Sequence, residues 1–282
     1  MNITTFPKFA GGGRTASLLD EELILLGNDG FGTKGKYITI QRPRDGLLAM
    51  KYTIDEFPLR QFPHHHTSLV SKNTLAVIGG KFKSKGMLSK YTWTELSLLW
   101  TDGSTLNPNL IYSCNVKIAS DVHIIFGGVQ GSGREGGRGG TRQVIQVNTT
   151  AESAVELKSM SLKRVSHSCQ LLTHDIVLVS GGLQNVGEPL SAIQPDELYN
   201  FNSQETIRIL ERTSSLRRYQ HATSRLGNQI YAFGGIDSNN DVTSKVAVFN
   251  AITSAWTEVH QVGVFNIMIT YIDTFIMDVS KL

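Results

Sequence analysis

A chain of 282 residues, 18% charged and 40% hydrophobic, has the balance of a globular protein able to bury a large core, and no uninterrupted apolar run reaches the length of a membrane span. The net charge of +3 is too small to imply nucleic acid unless it is clustered. The opening MNITTFPKFAGGGR carries neither an early basic region nor an apolar segment, so no secretory signal is read, and a cytoplasmic or nuclear location is expected.

Ile3 to Phe9 reads as a strand, followed by Gly11-Gly12-Gly13. A pattern then begins that recurs along the chain. RTASLLDEELILLGND from Arg14 is its first, degenerate copy, with Asn28 in place of a second glycine. Clearer copies are HTSLVSKNTLAVIGG (His66 to Gly80), SCNVKIASDVHIIFGG (Ser113 to Gly128), HSCQLLTHDIVLVSGG (His167 to Gly182) and HATSRLGNQIYAFGG (His221 to Gly235). Each reads as an alternating strand, a tight turn and an apolar strand, which is a hairpin, and each ends in a glycine doublet. The doublets Gly79-Gly80, Gly127-Gly128, Gly181-Gly182 and Gly234-Gly235 recur with a period of about fifty residues, in the range of repeat arrays.

After each doublet comes a polar loop. A third strand follows, clearest at Val144 to Asn148, Leu198 to Asn202 and Val246 to Asn250, and then a fourth, opened by Trp256-Thr257-Glu258-Val259 in the last full copy and by Trp100-Thr101 in an irregular one. Asn266 to Ser280 reads as two strands of a further unit.

Four short strands per period, with no helical periodicity between them, imply antiparallel sheets that bury both faces against copies of themselves. The expected fold is all-β: one six-bladed β-propeller domain over 1–282. Five blades are recognisable, at about 14–60, 61–108, 109–162, 163–216 and 217–262. A sixth, composite blade from 263–282 and 1–10 would close the ring; it counts three strands where four are expected, so it is read as incomplete. The cysteines Cys114 and Cys169, read as occupying equivalent places in successive repeats, are expected to be buried free thiols rather than a bridge.

These units resemble kelch repeats. The resemblance is carried by AVIGG, IIFGG, VLVSGG and YAFGG, by His66, His167 and His221 ahead of them, by Phe201 and Phe249 in the third strand, and by Trp256; it spans about residues 14 to 260. Tyr112 where a histidine would stand, and the tryptophans missing from the third and fourth copies, depart from it. The resemblance implies a kelch-type propeller whose loop-lined face takes segments of partner proteins, as in substrate adaptors. No BTB-like or F-box-like helical region is read ahead of the repeats, so a ligase-adaptor role is not expected from this chain itself.

In a four-stranded meander, the loops joining second to third strands share one face with the connections between blades. By this rule the blade-to-blade connections carry Arg14, Arg60, Lys163, Arg164, Arg217 and Arg218, and the second-to-third loops carry Lys34, Lys81, Lys83, Lys85, Arg134, Arg138 and Arg142. Acidic residues there are fewer, while Asp20, Glu21, Glu22, Asp121, Glu152 and Asp175 fall on the opposite face. A basic mouth suits acidic partner segments, because guanidinium forks pair with carboxylates. Arg14, Arg60, Arg134, Arg138, Arg164, Arg217 and Arg218 are the partner-binding candidates. The expectation is a monomeric, non-catalytic protein-binding scaffold, with no cofactor, no metal and no membrane.

Two other chemistries were weighed. Gly131 to Gly136 forms a formal GxGxxG after a strand, but a strand and not a helix follows it, so the pyrophosphate would lack its helix N-terminus. The same loop resembles arginine-glycine segments that contact RNA, although one short copy is thin support and nucleic acid is not the expected partner. His64, His65 and His66 alternate across a strand and do not converge on one ion. Some kelch propellers are enzymes, including oxidases, epimerases and specifier proteins. That remains the alternative reading, and no Cys-Tyr-His set or acid–base pair can be placed for it.

Overall fold

The structure is a computed structural model that describes residues 110–130, 139–187, 193–212, 216–243 and 245–259 in full, together with the backbone of the eight strands that precede them. The first sheet is β1 (Thr15–Leu19), β2 (Glu22–Asn28), β3 (Gly35–Gln41) and β4 (Lys51–Glu56); the second is β5 (Thr67–Ser71), β6 (Thr74–Ile78), β7 (Met87–Trp93) and β8 (Leu98–Thr105). After β9 (Leu110–Ile111), the third sheet comprises β10 (Cys114–Lys117), β11 (Val122–Phe126), β13 (Val144–Asn148) and β14 (Ser153–Leu157), with the short β12 (Val129–Gln130) between. The fourth is β15 (Ser168–Leu171), β16 (Ile176–Ser180), β17 (Asp196–Asn200) and β18 (Glu205–Leu210). After β19 (Arg218–Tyr219), the fifth comprises β20 (Ala222–Leu226), β21 (Gln229–Phe233), β23 (Val246–Asn250) and β24 (Ala255–Val259), with β22 (Ile236–Asp237) between.

Every four-stranded sheet is an antiparallel meander in chain order, and the first strands of consecutive ones touch: β1 with β5, β5 with β10, β10 with β15, β15 with β20. This is the arrangement of propeller blades, with the first strand of each nearest the axis. Ile3 to Phe9 and Asn266 to Ser280, assigned above to a closing blade, lie outside the described residues. No helix among the described residues is long and apolar enough to cross a membrane.

Side-chain alternation divides each blade between two interfaces. Ile124 and Phe126 of β11 pack forward with Val177, Val179 and Tyr199 of the fourth blade, while Ile125 of the same strand packs in a separate cluster with Leu110, Ile145 and Val147. In β16 the middle residue Leu178 turns the other way, joining Ile230 and Phe249 of the fifth blade. The middle strands β11 and β16 of the third and fourth blades are thus buried on both faces, whereas the outer β14 and β18 are mostly exposed.

The third strand of the fourth blade begins two residues earlier than its Leu198-to-Asn202 assignment and ends at Asn200. Tyr199, and not Phe201, therefore corresponds to the buried Phe249. The asparagines that end the third strands have a common task. Oδ1 of Asn148 accepts from the amides of Thr150 and Ala151, Asn200 from Asn202 and Ser203, and Asn250 from Ile252 and Thr253. Each begins a turn completed by a residue at positive φ, Glu152, Gln204 or Ser254.

Cys114 and Cys169 are joined as a disulfide, contrary to the expectation of free thiols. Their places are not equivalent. Cys114 pairs with Phe126, immediately before its doublet, whereas Cys169 pairs with Val179, one residue further from its own. A one-residue offset on a strand turns the side chain to the other face. Cys114 therefore faces the next blade and Cys169 faces back toward it, with their Cα atoms 5.7 Å apart.

Candidate functional site

In the third to fifth blades the mouth is built by the segments that enter the first strand and leave the second. These pair directly: β9 with β12, Val165 with Leu183, and β19 with β22. Consecutive entering segments are also linked, since the amide of Ser166 donates to the carbonyl of Tyr112, and the amide of Gln220 to the carbonyl of Ser166. Tyr112, Ser166 and Gln220 all hold positive φ, between 53° and 59°, at this shared position. Blade-to-blade hydrogen bonds from the doublets complete the rim: Gly128 N–H donates to Arg164 O, and Gly182 N–H to Arg218 O.

The described doublet glycines hold φ of 55° to 61° at the first position and 84° to 92° at the second. At Gly181 a Cβ would lie 2.2 Å from the carbonyl oxygen of Arg218, so the turn requires both the left-handed backbone and the missing side chain. Gly79 and Gly80 lie outside the described residues.

Arg164 and Arg218 are not on the open mouth. They are 0% and 1% exposed, and each side chain turns inward to the first glycine of its own doublet. Nη1 of Arg164 donates to Gly181 O at 2.8 Å, and Nη1 of Arg218 donates to Gly234 O at 3.2 Å and to Lys245 O at 2.8 Å. Arg164 also meets Glu197 Oε2 at 3.2 Å. The assignment of both as partner-binding residues is corrected on this ground: a guanidinium committed to the blade's own carbonyls offers nothing to a partner. Burial lowers the Arg218 pKa to about 10, with the nearby Arg212 charge adding to the effect, which still leaves it charged at neutral pH.

Arg217 is half-buried, donating from Nε to Arg212 O and pairing through Nη2 with Glu211 at 2.9 Å. Arg14, Arg60, Arg134 and Arg138 lie outside the described residues, as do His64, His65 and His66. Of the mouth cations counted from the sequence, Arg142 and Lys163 remain exposed. They flank the antiparallel bridge Thr141–Arg164, at the junction of the third and fourth blades, and neither has an acidic partner among the described residues. Asp237, on the same face, uses Oδ1 to accept from the amides of Asn239 and Asp241 in its own turn.

A buried network missed by the sequence reading lies beneath the mouth. Asp196, with no exposed surface, accepts from Gly181 N–H, from Arg212 Nε at 2.6 Å and from Trp256 Nε1 at 2.6 Å. Arg212 stacks 3.6 Å from the Trp256 ring centroid and donates to Ser180 Oγ and Leu216 O. Glu197 accepts from Arg164, from the amides of Ser161 and Leu162 and from Thr206 Oγ1, drawing the exit of the third blade onto the fourth. A signal was present: Asp196-Glu197 stands where the third and fifth blades have the apolar pairs Val144-Ile145 and Val246-Ala247, and buried carboxylates demand cations.

The histidines are part of the same framework. His167 Nε2 lies 3.0 Å from the carbonyl oxygen of Phe126, which can only accept, so the ring carries its proton on Nε2. His221 Nε2 lies between Ser168 Oγ at 2.8 Å and Ser180 Oγ at 3.0 Å. Burial, reinforced by Arg164, holds the His167 pKa down to about 3, and burial with Arg212 and Arg218 holds His221 well below the usual histidine range. Among the described residues no group of three or more His, Cys, Asp or Glu side chains is placed to hold a metal ion.

Residues 217–263 match the family model described as Kelch motif. Among solved structures 266 chains are significantly similar. One of them, titled "Structure of YjhT", is 14% identical, with a TM-score of 0.58 over 72% of this chain and 67% of its own. No curated protein matches the sequence significantly.

Proposed function

We propose, from the premise that this chain is a kelch-repeat β-propeller, that it is a non-catalytic interaction module that takes acidic segments of partner proteins on its loop-lined mouth, at the junction of the third and fourth blades. The observation that carries this reading is the pair Arg142 and Lys163, exposed on either side of the Thr141–Arg164 bridge and unneutralised by any described carboxylate. The rigid rim of paired segments favours it too, because a binding group held on a fixed backbone loses little entropy when a partner arrives. The partner's carboxylates replace the buried ones: Asp196 and Glu197 are saturated by Arg212, Arg164 and backbone amides and do not compete for the exposed cations. The acidic mouth residues Asp237 and Asp241 belong to the fifth blade, so the basic junction is set off from them.

The test is affinity capture with mass spectrometry, comparing the native chain with Arg142→Glu/Lys163→Glu. An exposed cation on the outer strand, Arg208→Glu, serves as control. Partners lost with the double reversal and kept with the control support the reading. Equal capture by all three proteins sinks it.

A further inference from the structure

The two described blade junctions are closed by different chemistry. Between the fourth and fifth blades the contact is non-covalent: Ser168 Oγ meets His221 Nε2 at 2.8 Å, and Gln220 N–H donates to Ser166 O at 2.8 Å. Between the third and fourth, the amide of Ser166 donates to Tyr112 O at 3.0 Å, and directly below that rung Cys114 is bonded to Cys169. By strand register, Cys114 corresponds to Ser168 and Cys169 to Thr223, the residues that hold these places at the next junction. The same architecture is therefore completed once with a serine–histidine hydrogen bond and once with a covalent bond.

The surroundings suit either redox state. The sulfurs lie in an apolar cluster with Val116, Met160, Val177 and Val179, and a cysteine thiol is itself a small apolar group that such a cluster accepts. Splitting the bond leaves no buried charge and no missing atom. What it removes is a tie between residues 55 apart in sequence that belong to different blades.

We propose that Cys114–Cys169 is a redox-operated lock on the junction of the third and fourth blades, closed by oxidation and released by a small thiol or dithiol. The step is ordinary thiol–disulfide exchange: a reductant thiolate attacks one sulfur to give a mixed disulfide, and a second reductant thiol resolves it. One protein S–S bond is lost, two protein S–H bonds form, and one S–S bond forms in the reductant, so two electrons pass to the protein. Cys114 and Cys169 are only 6% and 7% exposed, which makes transient parting of β10 and β15 the route of attack. Release loosens the rung above it, because Tyr112 and Ser166 precede the cysteines by two and three residues and are joined by a backbone hydrogen bond. The lock acts on the blade junction whether or not the mouth binds an acidic partner.

The test uses the full chain, purified without reductant, and dithiothreitol as the probe. Non-reducing digestion should yield one linked peptide containing both cysteines, and after dithiothreitol both should take up iodoacetamide. Hydrogen exchange of Ser166 and of β10 and β15 should then quicken about tenfold or more, with β20 to β24 unchanged, the signature of local rather than global opening. Cys114→Ser/Cys169→Thr, which copies the next junction, should exchange like the reduced protein and ignore dithiothreitol. Full alkylation of both cysteines after oxidised glutathione treatment would overturn the lock. So would exchange rates unchanged by reduction, or a loss of protection spread over all blades.

Discussion

Nη2 of Arg164 lies 3.2 Å from Oε2 of Glu197, and neither side chain reaches water. At the equivalent place in the fifth blade the arginine is kept as Arg218 but the carboxylate is replaced by Ala247, and among the described residues it donates to the backbone carbonyls of Gly234 and Lys245. The arginine's bond to its doublet glycine is thus the shared device, and the ion pair is a local addition. Glu197→Ala is expected to cost about 3–5 kcal/mol in urea denaturation, since it leaves a buried guanidinium without its counter-charge. In a double-mutant cycle with Arg164→Ala, a coupling energy of about 1–3 kcal/mol is expected. Additive losses would show that the two side chains do not act as a pair.

Gly181 and Gly187 share a positive φ but not the same surroundings. A Cβ at Gly181 would meet Arg218 O at 2.2 Å, whereas one at Gly187 meets nothing within 4 Å. Gly187→Ala should therefore cost only the left-handed backbone penalty of about 1–2 kcal/mol. Gly181→Ala must also push apart the fourth and fifth blades, and should cost clearly more or abolish folding. Thermal unfolding of the two variants side by side decides this, and similar losses would refute the role given to the doublet.

The blades were legible because each has an apolar second strand, followed in all but the first by a glycine doublet whose described copies all hold positive φ. Phe201-Asn202 misplaced one third strand by imitating Phe249-Asn250, when Tyr199-Asn200 is the pair that the ladder uses. Arg164 and Arg218 were misread because entry to a first strand was equated with exposure. Their recurrence at one register position was a framework signal of the same kind as that of His167 and His221. The disulfide turned on a single residue of register, which decides the face to which a strand side chain points. Arg212 has no counterpart at the exit of the third blade, so repetition gave no warning of it; only the buried acids Asp196 and Glu197 implied that such a cation must exist.

Trp256 joins two blades through both its polar edge and its face. Its Nε1–H donates to Asp196 of the fourth blade, and Arg212 lies over its ring, while its ring packs against Phe249. Trp256→Phe keeps much of the apolar contact but leaves Asp196 Oδ2 with Arg212 as its one described partner. A loss of about 1–3 kcal/mol is expected, as for a hydrogen bond to a buried charged group. Trp256→Phe combined with Asp196→Asn should lose less than the sum of the two. Strict additivity in denaturant titrations would contradict the bond.

Acid should weaken the protein well above the range in which carboxylates protonate. His167 and His221 are held neutral in the folded state first by burial, and then by the charges of Arg164 on the one and of Arg212 and Arg218 on the other. The unfolded chain binds those protons near the ordinary histidine value of 6.5, while folded His167 resists protonation to about 3. Below pH 6.5 the unfolded state therefore holds more protons, so stability falls as pH falls, and for His167 the loss continues until pH 3. Each histidine contributes a slope approaching about 1.4 kcal/mol per pH unit. Urea titrations at pH 7, 6, 5 and 4 should show this decline, and His167→Ser, which copies Ser113, the residue that strand register puts at this place in the third blade instead of Tyr112, should remove about half of the histidine contribution to the slope. A stability that stays level from pH 7 to pH 5 would mean that the histidines are not held neutral by the fold.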